Sequence, residues 1–226
     1  RACSKSVPLW LLASRLEEKA GAVVRARSVL DRARLAVPKS PELWTESVRV
    51  ERRANNIAQA KVLMARALQE VPASGLLWSE SIWHLEPRAS RKARSLEAIK
   101  KVENDPILFI TVARIFWGER RLEKAMTWFE KAIVADSDYG DGWAWYYKFL
   151  LQHGTEVSFA TISIPLYKND LVNMCFFEQD KRSDVISKCV STEPKHGETW
   201  QAIAKDPVNA SKSTEEILKL VAEAVN

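Results

Sequence analysis

Apolar residues along this chain recur in steps of three and four, and the steps fall into blocks that repeat. In the clearest block Ala125, Phe129, Ala132 and Ile133 stand at i, i+4, i+7 and i+8, one face of an α-helix, with Glu130 and Lys131 between them. The pattern predicts helices over 8–20, 22–36, 41–54, 56–70, 75–85, 88–102, 106–118, 121–135 and 140–153. A partner helix is expected at about 179–190, a short one from Glu198 and a last one at about 213–225. Short polar turns such as Asn55-Asn56 separate the members of a pair, and prolines stop the second helix.

The blocks have a fixed length. Trp10, Trp44 and Trp78 are each 34 residues apart, Phe109 follows after 31, Trp143 after another 34 and Trp200 after 57. Ala26, Ala60 and Ala125 lie 16 residues past their block's aromatic, and Ala33, Ala67 and Ala132 lie 23 past it. Pro38, Pro72 and Pro194 stand six residues before Trp44, Trp78 and Trp200. The aromatic sits in the first helix of each pair, and the small alanines let the second helix approach closely. A single pair cannot bury its apolar stripe, but stacked pairs bury it against one another. The expected fold is therefore all-α, an α-solenoid (superhelix) of antiparallel helix pairs with the tryptophans as wedges between helices. The third block is degenerate, with its alanine one residue early (Ala93) and Pro87 at the junction of its helices.

The organisation that follows is a repeat region over 1–156, with units starting near 8, 41, 75, 106 and 140. An atypical insert follows over 157–178, and the rest of the fifth unit with capping helices over 179–226. The insert is rich in β-branched and aromatic residues, contains Pro165 and lacks a helical period. Three origins remain open: a functional loop between the helices of the fifth pair, a short strand, or a translated intron. Val157-Ser158 can be encoded by a donor-like GTGAGT, and Phe176-Phe177 by a pyrimidine tract.

Composition adds limits. Of 226 residues 46% are hydrophobic, enough for a sizeable core, and only 7 are glycine, which favours helix. The net charge is +5, with both signs interleaved in the manner of solvated helix faces. The densest basic stretch, Arg88, Arg91, Lys92, Arg94, Lys100 and Lys101, has no aromatic residue interleaved for base stacking. Cys3, Cys175 and Cys189 have no metal or redox spacing, which fits a reducing compartment. No apolar run is long enough to span a membrane, so no membrane partner is expected. Asn209-Ala210-Ser211 matches a glycosylation sequon without a secretory context, and the start at Arg1 suggests a fragment.

Candidate chemistry is sparse. His84, His153 and His196 lie in different units without ligand spacing, and no phosphate loop or nucleophile elbow occurs. Glu17 and Glu51 each follow their tryptophan by seven residues and read as helix-end glutamates that bond a neighbouring turn or pair with an arginine, rather than as paired catalytic carboxylates. No catalytic, cofactor-binding or metal-binding residue is expected, and no small-molecule substrate. A solenoid offers instead a long surface for partner segments.

The repeat unit, Trp in the first helix and Ala-Arg-x-x-Leu/Met with a terminal proline in the second, resembles the half-a-TPR (HAT) repeat, a relative of the tetratricopeptide repeat (TPR). The stretches 55–80 and 116–149, with 193–200 and 217–222, are similar to the carboxy-terminal region of the pre-mRNA-processing factor 6 family. That resemblance implies a nuclear, non-catalytic scaffold that bridges snRNP proteins during assembly of the U4/U6-U5 tri-snRNP, with at most weak or indirect RNA contact. Two other readings stand beside it. One is direct RNA binding by a basic array; the other is a general TPR-like peptide adaptor, for which Arg49, Arg52, Arg53, Asn55 and Asn56 come nearest to a carboxylate clamp.

Overall fold

Serines and an aspartate set where the first helix of several pairs begins. In the computed structural model, which describes residues 5–161 and 171–225 with side chains for 5–153 and 181–225, Ser40 and Ser74 each accept the backbone N–H three residues on. Asp105 accepts from Ile107 and Leu108 in the same way. All three stand four residues before the block's aromatic and satisfy N–H groups that a helix start leaves open.

The pairs are α1 (Val7–Lys19) with α2 (Val23–Ala36), α3 (Pro41–Arg53) with α4 (Ile57–Glu70), and α5 (Gly75–Glu80) with α6 (Arg91–Lys101). They continue as α7 (Pro106–Gly118) with α8 (Leu122–Ala135), and α9 (Gly140–Thr161) with α10 (Leu171–Thr192). The short α11 (Glu198–Ala204) and α12 (Thr214–Ala224) follow, the latter opened by a capping box of Ser213 and Glu216. No helix is long and apolar enough to cross a membrane among the described residues.

The turn inside a pair is also repeated. Gly21, Asn55 and Arg120, each eleven residues past the aromatic, have φ of 75°, 58° and 58°. The N–H of the next residue reaches back five positions, from Ala22 to Glu17, Asn56 to Glu51 and Arg121 to Phe116. This left-handed closure caps the first helix and sends the chain into the second.

The chain divides into two compact units, residues 1–103 and 104–226. In the first, α3 packs on α1, α2, α4 and α5, and Leu43, Trp44, Val48 and Val50 are buried with Leu30, Ala33, Ala60, Met64 and Ala67. In the second, α9 packs on α7, α8, α10, α11 and α12. Its core gathers Ala125, Phe129 and Ala132 with Trp143, Phe149, Leu150, Trp200 and Leu218.

Three features depart from the expectations. The helix expected over 75–85 widens into a π-turn at Ser81–Leu85, where Glu86 N–H bonds Ser81 C=O, and Pro87 then holds Glu86 extended. In α6 the expected small residue, Ala93, is exposed, whereas Ser95, Ala98 and Val102 are buried. Small and large have exchanged places there. Ala98 takes the position of Leu30, Met64 and Phe129, 20 past the aromatic, and Ser95 and Val102 flank it. Finally, the backbone is helical over 157–161 and 171–178 of the atypical insert, which lacks a helical period, because residue propensity is a weak constraint against helix continuation. Residues 162–170, with Pro165, lie outside the described residues.

Candidate functional site

The tryptophans do more than fill space. Trp44, Trp78 and Trp143 are buried, and each indole N–H donates to the carbonyl six residues earlier, at Pro38, Pro72 and Ser137, in every case at 2.8 Å. The indole thus caps the end of the preceding second helix with a neutral hydrogen bond. Pro38 and Pro72 supply an acceptor at a place where the helix must stop. Trp10 and Phe109, the first aromatics of their units, are half-buried; Phe109 packs on Trp128 at 5.4 Å between ring centroids. Ala26, Ala33, Ala60, Ala67, Ala125 and Ala132 are all fully or almost fully buried.

In the fifth pair the register is kept from its far end. Cys189 lies five residues before Pro194, as Ala33 and Ala67 lie before Pro38 and Pro72, and it is fully buried. Burial pushes its thiol up to about 12, so it stays a neutral packing group. Pro194 is buried, and Trp200 is held from across the unit. Asp141 accepts the Trp200 N–H at 2.7 Å and the Thr199 N–H at 3.1 Å, while Gly140 N–H bonds His196 C=O at 2.8 Å. Asp141 therefore caps α11 from the start of α9, a link between residues 58 and 59 apart.

A charge ladder joins successive pairs of the first unit. Arg15 meets Glu46 at 2.9 Å and Arg49 meets Glu80 at 3.0 Å, both pairs 31 residues apart. Each runs from the position five past one tryptophan to the position two past the next. In the second unit the same register places Arg114 over Trp145, 3.9 Å from the ring centroid. Arg53 bridges Glu18 and Glu46, Arg52 joins Arg49 on Glu80, and Arg27 grips Glu51 through both carboxylate oxygens. Glu17 pairs with Arg25 at 3.0 Å. Sequence reasoning missed the ladder, although the Arg and Glu spacing carried it.

Burial disfavours the Glu46 carboxylate, but hydrogen bonds from Arg53 and Arg15 outweigh that and hold it below the usual carboxylate range. A depressed carboxyl contributes stability above its unfolded value and loses it as pH falls through its folded value. At pH 7 Glu46→Gln is expected to cost about 1.5–3 kcal/mol, the range of hydrogen bonds to charged groups. As pH falls below the usual carboxylate range the gap between wild type and variant should narrow, which urea titrations at pH 7 and at acid pH will read. An unchanged gap would remove Glu46 from the acid response.

This ladder also accounts for the clamp residues. Arg49, Arg52 and Arg53 are engaged by Glu80, Glu46 and Glu18, Asn56 donates to Glu51, and Asn55 is the left-handed turn residue. They do not form an open carboxylate clamp. Arg91, Arg94 and Lys101 of the basic stretch are likewise engaged within the fold. Arg94 pairs with Glu86 and Glu97, Lys101 pairs with Glu97, and both cations lie over Trp78 at 5.4 and 5.0 Å. Arg91 lies 4.9 Å from Trp83, so the fold gives this stretch aromatic neighbours that are absent from its own sequence.

His84 is 3.9 Å from Glu80, His196 is 3.2 Å from Asp138, and His153 packs edge-on to Trp117. No group of three or more His, Cys, Asp or Glu suited to a metal occurs among the described residues. One cavity of about 310 Å³ opens between α2, α3 and α4, lined by Arg27, Arg34, Arg66 and Glu51 among others.

Comparison with known proteins fits this geometry. The family profile "PRP6, TPR-like domain" matches residues 2–222. Pre-mRNA-splicing factor prp1 of Schizosaccharomyces pombe is 42% identical over 220 residues, covering 97% of this chain and 22% of that protein. Pre-mRNA-processing factor 6 of Homo sapiens is 46% identical over 135 residues, covering 60% of this chain and 12% of that protein. The chain thus spans between about a tenth and a quarter of the length of these relatives. Among solved structures, the Cut9–Hcn1 assembly aligns with a TM-score of 0.49 at 12% identity, over 94% of this chain and 42% of that one.

Proposed function

Since the chain belongs to the PRP6 TPR-like domain family, we propose that it is a non-catalytic protein–protein scaffold of pre-mRNA splicing. In this reading it acts in the nucleus and helps bridge U5 components to U4/U6 components as the tri-snRNP assembles. The single observation that carries the reading is the family match across residues 2–222, in which two relatives bear the names of splicing and pre-mRNA-processing factors.

Charge use supports protein over RNA as the main partner. Affinity for nucleic acid rests on cations free to neutralise phosphates. Here Arg15, Arg27, Arg49, Arg52, Arg53 and Arg94 are held by internal carboxylates, and Arg91 and Arg114 lie on tryptophan rings. Such pairing leaves mixed-charge faces suited to protein segments.

Affinity purification from nuclear extract with the tagged chain, followed by mass spectrometry, tests the proposal. Recovery of U5 and U4/U6 proteins, retained after nuclease treatment, is expected. Recovery of chaperones without spliceosomal proteins, or complete loss on nuclease treatment, overturns it.

A further inference from the structure

The cavity between α2, α3 and α4 holds one residue that the repeat does not call for. Counting 24 past each unit's aromatic, the second helices carry Leu68 in α4, Ile133 in α8 and Val102 just after α6, where the first pair carries Arg34 in α2. Leu68 and Ile133 pack against the cores of their own units, and Val102 is buried. A guanidinium in an aliphatic position is a local rule broken, and such places are where function is found.

Its surroundings suit an anion. The Arg34 guanidinium lies 4.4 Å from the centre of the Trp44 ring, and its side chain is 13% exposed. Its Nε is buried with no hydrogen-bond partner, a donor left without an acceptor. Arg66, from α4, reaches the same ring at 5.9 Å and lines the same cavity. Two like charges thus converge on one indole. Arg34 also touches Asp31 on its own helix, but that carboxylate is 63% exposed, and exposed pairs of this spacing are weak and readily exchanged. Arg27, the third cation of the cavity, is already held by both oxygens of Glu51.

From this geometry we infer that the cavity is a docking pocket for an acidic segment of a partner protein, taking one carboxylate between Arg34 and Arg66. A carboxylate matches the planar donor fork of a guanidinium, which an isolated point charge would not exploit. The rest of the lining chooses between peptide and nucleic acid. Leu30, Val50 and Leu63 offer apolar surface to a neighbouring aliphatic side chain. With Asp31 and Glu51 set against Arg27, Arg34 and Arg66, the cavity's net charge is only +1, which suits one carboxylate rather than a chain that carries a charge at every phosphate. The inference rests on the scaffold reading for the partner's identity, but not for the chemistry of the pocket.

The repeat itself supplies the variant that separates folding from binding. Arg34→Leu installs the residue of the next pair and should melt no lower than wild type. The probes are fluorescein-labelled peptides of alternating Leu and Glu, the same peptide with Gln for Glu, and a 20-nucleotide oligouridine. The full chain should bind the Glu peptide and shift the Arg34 Nε–H signal in a ¹⁵N spectrum. Arg34→Leu or Arg66→Gln should weaken that binding roughly tenfold or more, as loss of a charge-assisted contact implies. Equal binding of the Glu and Gln peptides, undiminished binding by Arg34→Leu, or an Nε–H shift produced by oligouridine instead overturns the pocket. If Arg34→Leu captures spliceosomal proteins as well as wild type does, the pocket falls and the scaffold stands. If wild type captures none, the scaffold falls while the peptide titration still decides the pocket.

Discussion

Trp44→Ala is expected to destabilise the first unit by about 3–5 kcal/mol, the usual cost of removing a buried aromatic side chain. Trp44 is 4% exposed and packs in one cluster with Val48, Ala60, Met64 and Leu77. The truncation empties that centre and leaves the Pro38 carbonyl without the indole donor it receives at 2.8 Å. It also strips the ring from beneath Arg34 and Arg66. Stability in a stacked array passes between neighbouring pairs, so α1–α2 should loosen with α3–α4. Urea denaturation followed by circular dichroism reads the loss, and hydrogen exchange locates it in residues 5–103. Trp44→Phe isolates the hydrogen bond, with an expected cost nearer 1 kcal/mol plus a smaller packing term. A loss under about 0.5 kcal/mol for the alanine variant, the range of ordinary surface changes, would show that Trp44 is not a core wedge.

Much of this frame is legible in the amino-acid sequence, and the reason is physical. Periodicity records burial directly, and burial here repeats: a tryptophan, two alanines and a proline recur because each pair faces the same packing problem. The helix limits at Pro41, Pro106 and Gly140 follow from proline and small residues at first turns. The features that spacing hides depend on side-chain reach rather than on period. The indole bond to the carbonyl six residues back explains why a proline stands there, yet spacing alone names the proline without its role. Arg15–Glu46 and Arg49–Glu80 are hidden because interleaved charge reads as solvated surface, whereas Glu46 and Glu80 are buried. Ala93 misleads because a small residue need not face the core, and the exchange of small and large residues in α6 turns it outward. Arg34 is inconspicuous for a different reason: it breaks the pattern only when the fourth member of a register is compared with Leu68, Val102 and Ile133.

The junction of α9 with α11 gives the second large effect, at Gly140, the first residue of α9. A Cβ on Gly140 would lie 2.2 Å from Cδ2 and 2.3 Å from Cγ of Trp200, far inside contact distance. The indole cannot simply withdraw. Its backbone N–H is bound to Asp141 at 2.7 Å, and the Gly140 N–H is bound to His196 C=O at 2.8 Å, so both sides are held by hydrogen bonds across the joint. Gly140→Ala is therefore expected to cost about 1–3 kcal/mol or somewhat more, as overpacking of a rigid site does. The loss should appear first as faster hydrogen exchange and protease cleavage in α11 and α12. Trp200→Ala removes every atom that the new methyl would strike. On that background Gly140→Ala should cost little, giving a coupling energy of about 1–3 kcal/mol between two residues 60 apart in sequence. Additive losses in the double variant would mean that the ring does not rest on this glycine, and the register assigned to the last tryptophan would fall with it.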